Sequence, residues 1–490
     1  MNIGDVSFYG LFPIIAFTLS LCVLTMVRSL VRTNYSLHRS FGAISTVFVA
    51  LIVMASQAIR WRQFDIKRLT SKDLTTLSGM VSTDRVSAIS IFVVCAVAIV
   101  SVLVSIQYLQ KRDDIPAAEF YILLQAAIVG MCAMAMANDL IAMFVALEVF
   151  SIPLYVLTAF DRRRVRSLEA GFKYFIMGAV SSAIFLYGIA LHYGVSGSTA
   201  LSPPSEATAI AGISTVFILV GLLFKVASVP FHFWSPDAYQ GAPSPVTIFM
   251  SASTKLVAFV ALIRIVATDT IDVSITGAPA RSLLTVACIA SALFGSIVAL
   301  RQSNIKRALA YSSITHTAYI LLALKGGNTQ SLQACMTYIV IYAFIIAGTF
   351  AVVSVVSGTD EQGDSIANYK GLAKTNPYLA GAFTLLLFAQ AGIPLTSGFI
   401  AKFDVFRVAF DSGFYVSAII VLVATVIAAA LYLRLVLAMY SNSFGEDSEQ
   451  ETESKYEVSP ATGLAIGICV FVTVAVGILP SFVIGFTHVL

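Results

Sequence analysis

Apolar residues run through this chain in long unbroken stretches, each closed by a short polar or charged segment. The runs predict about 14 helices, at roughly 10–28, 41–59, 85–108, 117–136, 138–159, 168–192, 210–229, 244–267, 282–300, 308–324, 330–357, 377–409, 413–441 and 459–485. A membrane β-barrel would need apolar and polar residues to alternate, and here they do not. The pattern is that of an all-α polytopic membrane protein. The first run follows Asp5 and no basic residue, so it reads as an uncleaved first helix rather than a leader.

Two runs are broken from within. Pro230 interrupts the seventh and Pro394 the twelfth. Proline removes a helical hydrogen bond and frees a carbonyl. At membrane depth that is tolerated only where protein or a water-filled cavity satisfies the freed group, so each break is expected beside water, with an ionisable residue next to it. One break falls within helices 4–8 and the other within helices 9–13. Five helices per unit is an odd number, so the second unit is expected upside down relative to the first. Inverted repeats with discontinuous helices in matching places mark a transporter fold. The chain then divides into an N-terminal three-helix segment (1–116), a first repeat (117–267), a second repeat (282–441) and a C-terminal helix (459–490).

Composition agrees. The 490 residues are 58% hydrophobic and 11% charged, against about 25% charged in soluble domains. The net charge of +4 matters less than its placement. With the N-terminus outside, loops 28–40, 109–116, 161–167, 301–307 and 358–376 are cytoplasmic and hold "VRSLVR", "QKRDD", "DRRRVR", "RQSNIKR" and "YKGLAK". About 15 Lys/Arg then fall in cytoplasmic loops and about 7 outside. The 60–73 loop, "RWRQFDIKRLTSK", runs against the rule. The acidic loop 445–457, "GEDSEQETESKYE", reads as a plain solvated cytoplasmic loop. Six cysteines stand singly in apolar runs with no C-x-x-C, so no disulfide framework, iron–sulfur site or zinc site is expected. Neither a Walker A sequence nor a G-x-G-x-x-G fingerprint is present.

Charged side chains inside spans cost roughly 2.5–17 kcal/mol, so the few that occur carry information. Glu148 ("FVALEVFSIPLY"), Lys225 ("VFILVGLLFKVASVP"), Lys255 ("TIFMSASTKLVAFV") and Lys402 ("GIPLTSGFIAKFDVF") lie deep in their runs. Lys173 and His316 are weaker members of the set. Arg264, Arg434 and Asp139, near helix ends, read as snorkelling or locally paired residues. Asp404 and Arg407 are spaced to satisfy each other on one face. Deep acids and bases on different helices predict a connected polar pathway. A swing of about 3 pKa units is worth about 4 kcal/mol, close to the cost of moving one charge through ~170 mV. Making and breaking a Glu148–Lys225 pair is therefore the right size to lift a proton against a membrane potential. Lys255 and Lys402 would be later stations, with His316, hydroxyls and water between them. Residue types alone leave protons and sodium ions open.

The stretches "LEVFSIPLYVLTAFDRRRVRSLEAGFKYFIMGAVSSAIFLYG", "FKVASVPFHFWSPDAYQGAPSPVTIFMSASTKLVAF", "IKRALAYSSITHTAYIL" and "GIPLTSGFIAKF" resemble the antiporter-like subunits of respiratory complex I. Among these they resemble the subunit N family of NADH-quinone oxidoreductase, over roughly residues 117–441. The resemblance implies two inverted five-helix units and one proton channel. It implies that Glu148, Lys225, Lys255 and Lys402 are the channel's helix-5 glutamate and its helix-7, helix-8 and helix-12 lysines. It makes Lys173 a helix-6 lysine that modulates the glutamate–lysine pair, and it places His316 on the polar axis. Asp404 departs from the family pattern. The resemblance also implies a translocase subunit without a redox centre of its own, with FMN, iron–sulfur clusters and quinone in partner subunits. Expected partners are a neighbouring antiporter-like subunit, small helical membrane subunits and the lipid bilayer, with no nucleic acid. The expected location is the bacterial plasma membrane.

Relatives of the family are separable on single features. Subunit M carries a glutamate where Lys402 stands. Subunit L carries a long lateral C-terminal helix, and this chain stops after helix 14. Subunits of multi-subunit sodium/proton antiporters share the charged residues and stand as the alternative, with membrane-bound hydrogenase subunits third. A structural membrane spacer with vestigial charges is a further reading, against which the four intact ionisable positions argue.

Overall fold

The apolar runs fold as helices nearly where the hydropathy pattern places them. A computed structural model describes residues 2–3, 6–31, 35–66, 74–112, 114–203, 208–270, 278–358, 361–441, 456–481 and 484–485. The spanning helices are α1 (Phe12–Leu30), α2 (Tyr35–Ile66), α3 (Arg85–Gln110), α4 (Ala117–Met136), α5 (Leu140–Thr158) and α6 (Val165–Ser196). Helix α7 comes as two pieces, α7a (Ala209–Lys225) and α7b (Trp234–Gly241). Next come α8 (Ser244–Ala267), α9 (Ala278–Leu300), α10 (Ile305–Leu324) and α11 (Thr329–Ser357). Helix α12 is also split, into α12a (Pro377–Ala391) and α12b (Ser397–Asp411). The series ends with α13 (Tyr415–Tyr440) and α14 (Pro460–Ile478).

Among the described residues, eleven helices are long and apolar enough to cross a membrane by length and composition alone. The remaining spans are interrupted or carry more polar residues. Helices α7 and α12 are broken, and α10 holds Lys306, Arg307, His316 and a run of hydroxyl residues. The most apolar surroundings sit at the centre. Every residue of α8 in its spanning window is buried, and α11 is nearly as enclosed. Helix α11 packs against α3, α8, both halves of α12, and α14. Helices α1, α6 and α13 keep much of their apolar surface outward, as lipid-facing or subunit-facing helices do.

The departures from the sequence reading have local causes. Helix α2 runs past the predicted 41–59, because its polar ends hold good helix formers such as Gln and Arg that continue the helix beyond the apolar core. Helix α7a stops at Lys225 instead of residue 229, because Ala227 takes a left-handed conformation (φ 56°) ahead of Pro230. Helix α14 stops at Ile478 instead of residue 485, just before Pro480. Two short antiparallel pairs, Asn2–Ile3 with Val6–Ser7 and Thr75–Thr76 with Val81–Ser82, close loops that no apolar run announces. Residues 67–73 of the basic loop and 442–455 of the acidic loop lie outside the described residues.

Candidate functional site

The break in α7 is filled by protein side chains. The freed carbonyl of Phe224 accepts from the Trp234 indole N–H (2.8 Å), and the Val226 carbonyl accepts from the Thr317 hydroxyl (2.8 Å). Ser291 of α9 accepts from the Val229 amide (2.8 Å). The sequence reading placed water at this gap; here Trp234, Thr317 and Ser291 take its polar groups. The stretch after the proline supplies the plug: Trp234 stacks on Tyr174 of α6, with ring centroids 4.4 Å apart and 9° between planes. Tyr174 in turn meets Tyr155 edge-on at 4.6 Å.

Lys225, the last residue of α7a, is buried in that aromatic cage. Its ammonium donates to the Ser151 hydroxyl (2.8 Å) and the Tyr155 hydroxyl (3.1 Å), both on α5. Glu148 lies one turn before Ser151 on the same helix and accepts from Ser182 of α6. The expected Glu148–Lys225 pair is therefore not formed. Lys225 instead meets α5 one turn further on, at Ser151, which is a neighbour of Glu148 on that helix.

Lys255 is buried just after a π-helical turn, Met250–Thr254, that interrupts α8; such turns are frequent at functional sites. Its ammonium donates to the Ser313 carbonyl (2.6 Å) and the Thr317 hydroxyl (2.9 Å) of α10. Thr317 thus joins Lys255 to the carbonyl next to Lys225. His316 makes no bond to Lys255. Its Nδ1 lies 2.8 Å from the Tyr338 hydroxyl and its Nε2 3.1 Å from the Tyr432 hydroxyl.

The second break closes differently. Lys402, on α12b, reaches back to the carbonyls of Gln390 (2.8 Å) and Ala391 (2.9 Å) at the end of α12a. A cation there meets the negative end of a helix dipole. The halves overlap closely: a Cβ on Gly398 would stand 1.8 Å from the Ala389 carbonyl oxygen. The Gln390 side chain accepts from Ser312 (3.4 Å), and Ser312 lies 2.5 Å from Tyr432 Oη. Hydrogen bonds run from His316 through Tyr432 and Ser312 to the Gln390 side chain, and Lys402 meets the backbone carbonyl of that same residue.

The structure thus gathers Glu148, Lys225, Lys255, His316 and Lys402 into one axis and leaves Lys173 off it. Lys173 is partly exposed and pairs with Glu169 (2.6 Å) and with Asp237 (3.0 Å), which also binds Arg307 (2.6 Å). The residues expected to be locally satisfied are so. Arg264 pairs with Asp84 (2.8 Å), Asp139 caps α5 through the Ile141 amide (2.8 Å), Arg407 pairs with Asp404 (2.6 Å), and Arg434 takes the Leu300 carbonyl (2.7 Å). Sequence reasoning missed Ser151, Tyr155, Thr317, Gln390 and Tyr432. Their only signal was a polar atom within an apolar run, which also fits ordinary interhelical contacts. Among the described residues no group of three His, Cys, Asp or Glu side chains is placed to hold a metal.

A family profile described as "NADH:quinone oxidoreductase/Mrp antiporter, TM" matches residues 137–428, a span that holds every candidate residue. NADH-quinone oxidoreductase subunit N 1 of Solibacter usitatus is 38% identical over 416 residues, 83% of this chain and 84% of the relative. A chain of respiratory complex I from Thermus thermophilus is 31% identical with a TM-score of 0.81, over 96% of this chain and 98% of that one. A chain of the Mrp complex from Dietzia sp. matches with a TM-score of 0.82 over 99% and 97%, at 19% identity. That likeness shows the fold alone; the family rests on the profile and on the sequence identity. This chain belongs to the NADH-quinone oxidoreductase subunit N family of antiporter-like membrane proteins.

Proposed function

We propose that this chain is a proton-translocating membrane subunit of an NADH-quinone oxidoreductase and that protons move along Glu148, Lys225, Lys255, His316 and Lys402. The observation that carries this reading is the company of the lysines. Lys225, Lys255 and Lys402 are buried, and among the described residues none is held by a carboxylate. Hydroxyl and carbonyl acceptors let a lysine gain or lose its proton without rupture of an ion pair, and lysine titrates readily on burial where arginine does not. Serine, threonine, tyrosine, glutamine and histidine groups occupy the intervals. Lys225 donates to Ser151 and Tyr155, and Glu148 accepts from Ser182, so proton passage between the two charges runs through hydroxyls or water rather than through a direct pair.

The oxidation of NADH, with its FMN, iron–sulfur clusters and quinone, belongs to partner subunits in this reading. The partners in the membrane are a neighbouring antiporter-like subunit and small helical subunits. Residues 117–267 and 282–441 act as the two inverted halves of the channel, flanked by the segments 1–116 and 459–490. Lys173 holds α7b through Asp237 and so acts on the Lys225 cage from outside it. The excess of Lys and Arg in alternate loops supports an N-terminus outside, and the bacterial relatives support a bacterial plasma membrane location.

Lys225→Ala in the assembled complex tests the assignment. Proton uptake per NADH oxidised by membrane vesicles is expected to fall, with the complex still assembled on a native gel. Unchanged uptake in an assembled complex sinks it. Migration of the tagged chain in an assembly without flavin or iron–sulfur clusters would instead favour an antiporter.

A further inference from the structure

Five lysines are buried among the described residues: Lys225, Lys255, Lys306, Lys325 and Lys402. Lys306 is neutralised by Asp364 (3.3 Å). The other four have no carboxylate partner among the described residues. Each donates to a hydroxyl or carbonyl and lies against an aromatic ring. Lys325 follows this pattern: its ammonium donates to the Ser417 hydroxyl (2.9 Å) and stands 4.7 Å from the centre of the Phe414 ring. Lys255 stands 5.7 Å from Tyr342 and Lys402 4.8 Å from Tyr319 in the same manner. Three of the four belong to the pathway. Lys325 is a buried charge that nothing above uses, and such a charge is costly to keep without a role.

Its position supplies the role. Lys325 directly follows the last residue of α10, at the end opposite Lys306. Helices α10 and α13 run antiparallel, and hydroxyl contacts climb their seam in register. The Ser312 and Tyr432 hydroxyls meet at 2.5 Å, Tyr319 donates to Thr425 (2.8 Å), and Lys325 donates to Ser417 (2.9 Å). The first contact is a link of the His316–Lys402 chain. The second places under Lys402 the tyrosine whose ring it faces. The third is Lys325. Successive contacts lie about 10 Å apart at 1.5 Å of rise per residue. Lys402 and His316 lie along the lower interval; a proton crossing the upper one needs bridging water, past the buried apolar side chains Ala418, Val421 and Ala424 of α13. Around Lys325 stand the Cys288 thiol of α9 and, over the same Phe414 ring at 4.9 Å, the guanidinium of Arg281. Burial of the ammonium is the main influence favouring release of a proton, and the like charge of Arg281 adds to it, while the Cys288 thiol acts the other way.

We propose that Lys325 is the terminal proton-exchanging residue of this chain, taking a proton from the Tyr319–Thr425 step and releasing it to solvent at the membrane face where α10 ends. The proposal rests on the pathway reading above and extends it by one station.

The test uses vesicles carrying the full complex and reads proton uptake per NADH oxidised, with native gels for assembly. Lys325→Arg keeps a charge and a donor for Ser417 but does not release its proton; Lys325→Gln removes the charge. Both are expected to lose uptake to the level of Lys225→Ala. A wild-type ratio in either Lys325 variant, alongside a loss in Lys225→Ala, overturns the terminal station and leaves the pathway standing. A wild-type ratio in Lys225→Ala removes the pathway itself, and Lys325 with it. If the glutamine variant fails to assemble, the arginine variant decides alone.

Discussion

Gly392 shows how much one missing side chain decides. It has φ 84°, and a Cβ there would stand 2.8 Å from the Lys402 side chain. Gly392→Ala is expected to cost about 1–2 kcal/mol in left-handed backbone and to push Lys402 off the Gln390 and Ala391 carbonyls. Gly392→Asn separates the two effects, since Asn tolerates that backbone yet also brings a Cβ. Equal losses of proton uptake in both variants would assign the defect to contact with Lys402; recovery in the Asn variant would assign it to strain. At this scale the charges were legible and their partners were not. A lysine in an apolar run announces itself by its cost. Ser151 and Thr317 look like any polar residue in a helix until the fold sets them against Lys225 and Lys255, and Lys402 is met by backbone carbonyls that no residue type announces. The Glu148–Lys225 pair was the natural expectation from residue types, and hydroxyls of Ser151, Tyr155 and Ser182 take its place.

The broken helix α7 is held by an element the hydropathy pattern ignores, the short α7b. Trp234 does two things there: it caps the Phe224 carbonyl and it stacks on Tyr174, a wall of the Lys225 cage. Trp234→Phe keeps much of the stack and loses one hydrogen bond. The Ala227 amide still serves the Phe224 carbonyl at 3.0 Å, so the expected cost is about 1 kcal/mol. Trp234→Ala empties the cage wall at about 3–5 kcal/mol. Thermal inactivation of the purified complex should rank the two in that order, and only the alanine variant should also lower proton uptake. Equal inactivation temperatures would show that the stack contributes little. Helix existence was readable along nearly the whole chain, because an apolar run of that length has few alternatives in a membrane. Where the ends fell depended on local backbone choices, such as the left-handed Ala227, which leave no mark in hydropathy.

Across the whole molecule, ion pairs near both membrane faces fasten the first three helices to the channel-bearing part. Near one face, Asp84 at the start of α3 pairs with Arg264 at the end of α8 (2.8 Å). At the other, Arg112 after α3 pairs with Asp161 after α5 (2.7 Å) and with Asp114 (2.9 Å). The basic loops were read from sequence as orientation signals, and at Arg112 the same charge also serves as a fastener. Asp161 is only 1% exposed, though Arg164 (3.0 Å) remains as a second partner. Arg112→Ala should therefore cost about 1–3 kcal/mol, the range for a buried acceptor that loses a charged hydrogen bond. Asp161→Asn in the same chain should recover part of that loss, because a buried charge left with Arg164 alone goes with it. Acid sharpens the test. Hydrogen bonding from Arg112 holds the Asp114 carboxyl down to about 2, against an ordinary value of about 3.9. A depressed carboxyl contributes stability that is present above its unfolded pKa and is lost as pH falls through its folded one. The wild-type protein should keep the Asp114 contribution in full above about pH 4 and lose it towards pH 2. Arg112→Ala should lack most of that contribution at every pH, Arg163 (3.3 Å) keeping the rest, so the gap in inactivation temperature between the two proteins should be constant from pH 7 to about 5 and narrow below about 4. A gap that stays constant down to pH 3 would show that Asp114 is not held by Arg112.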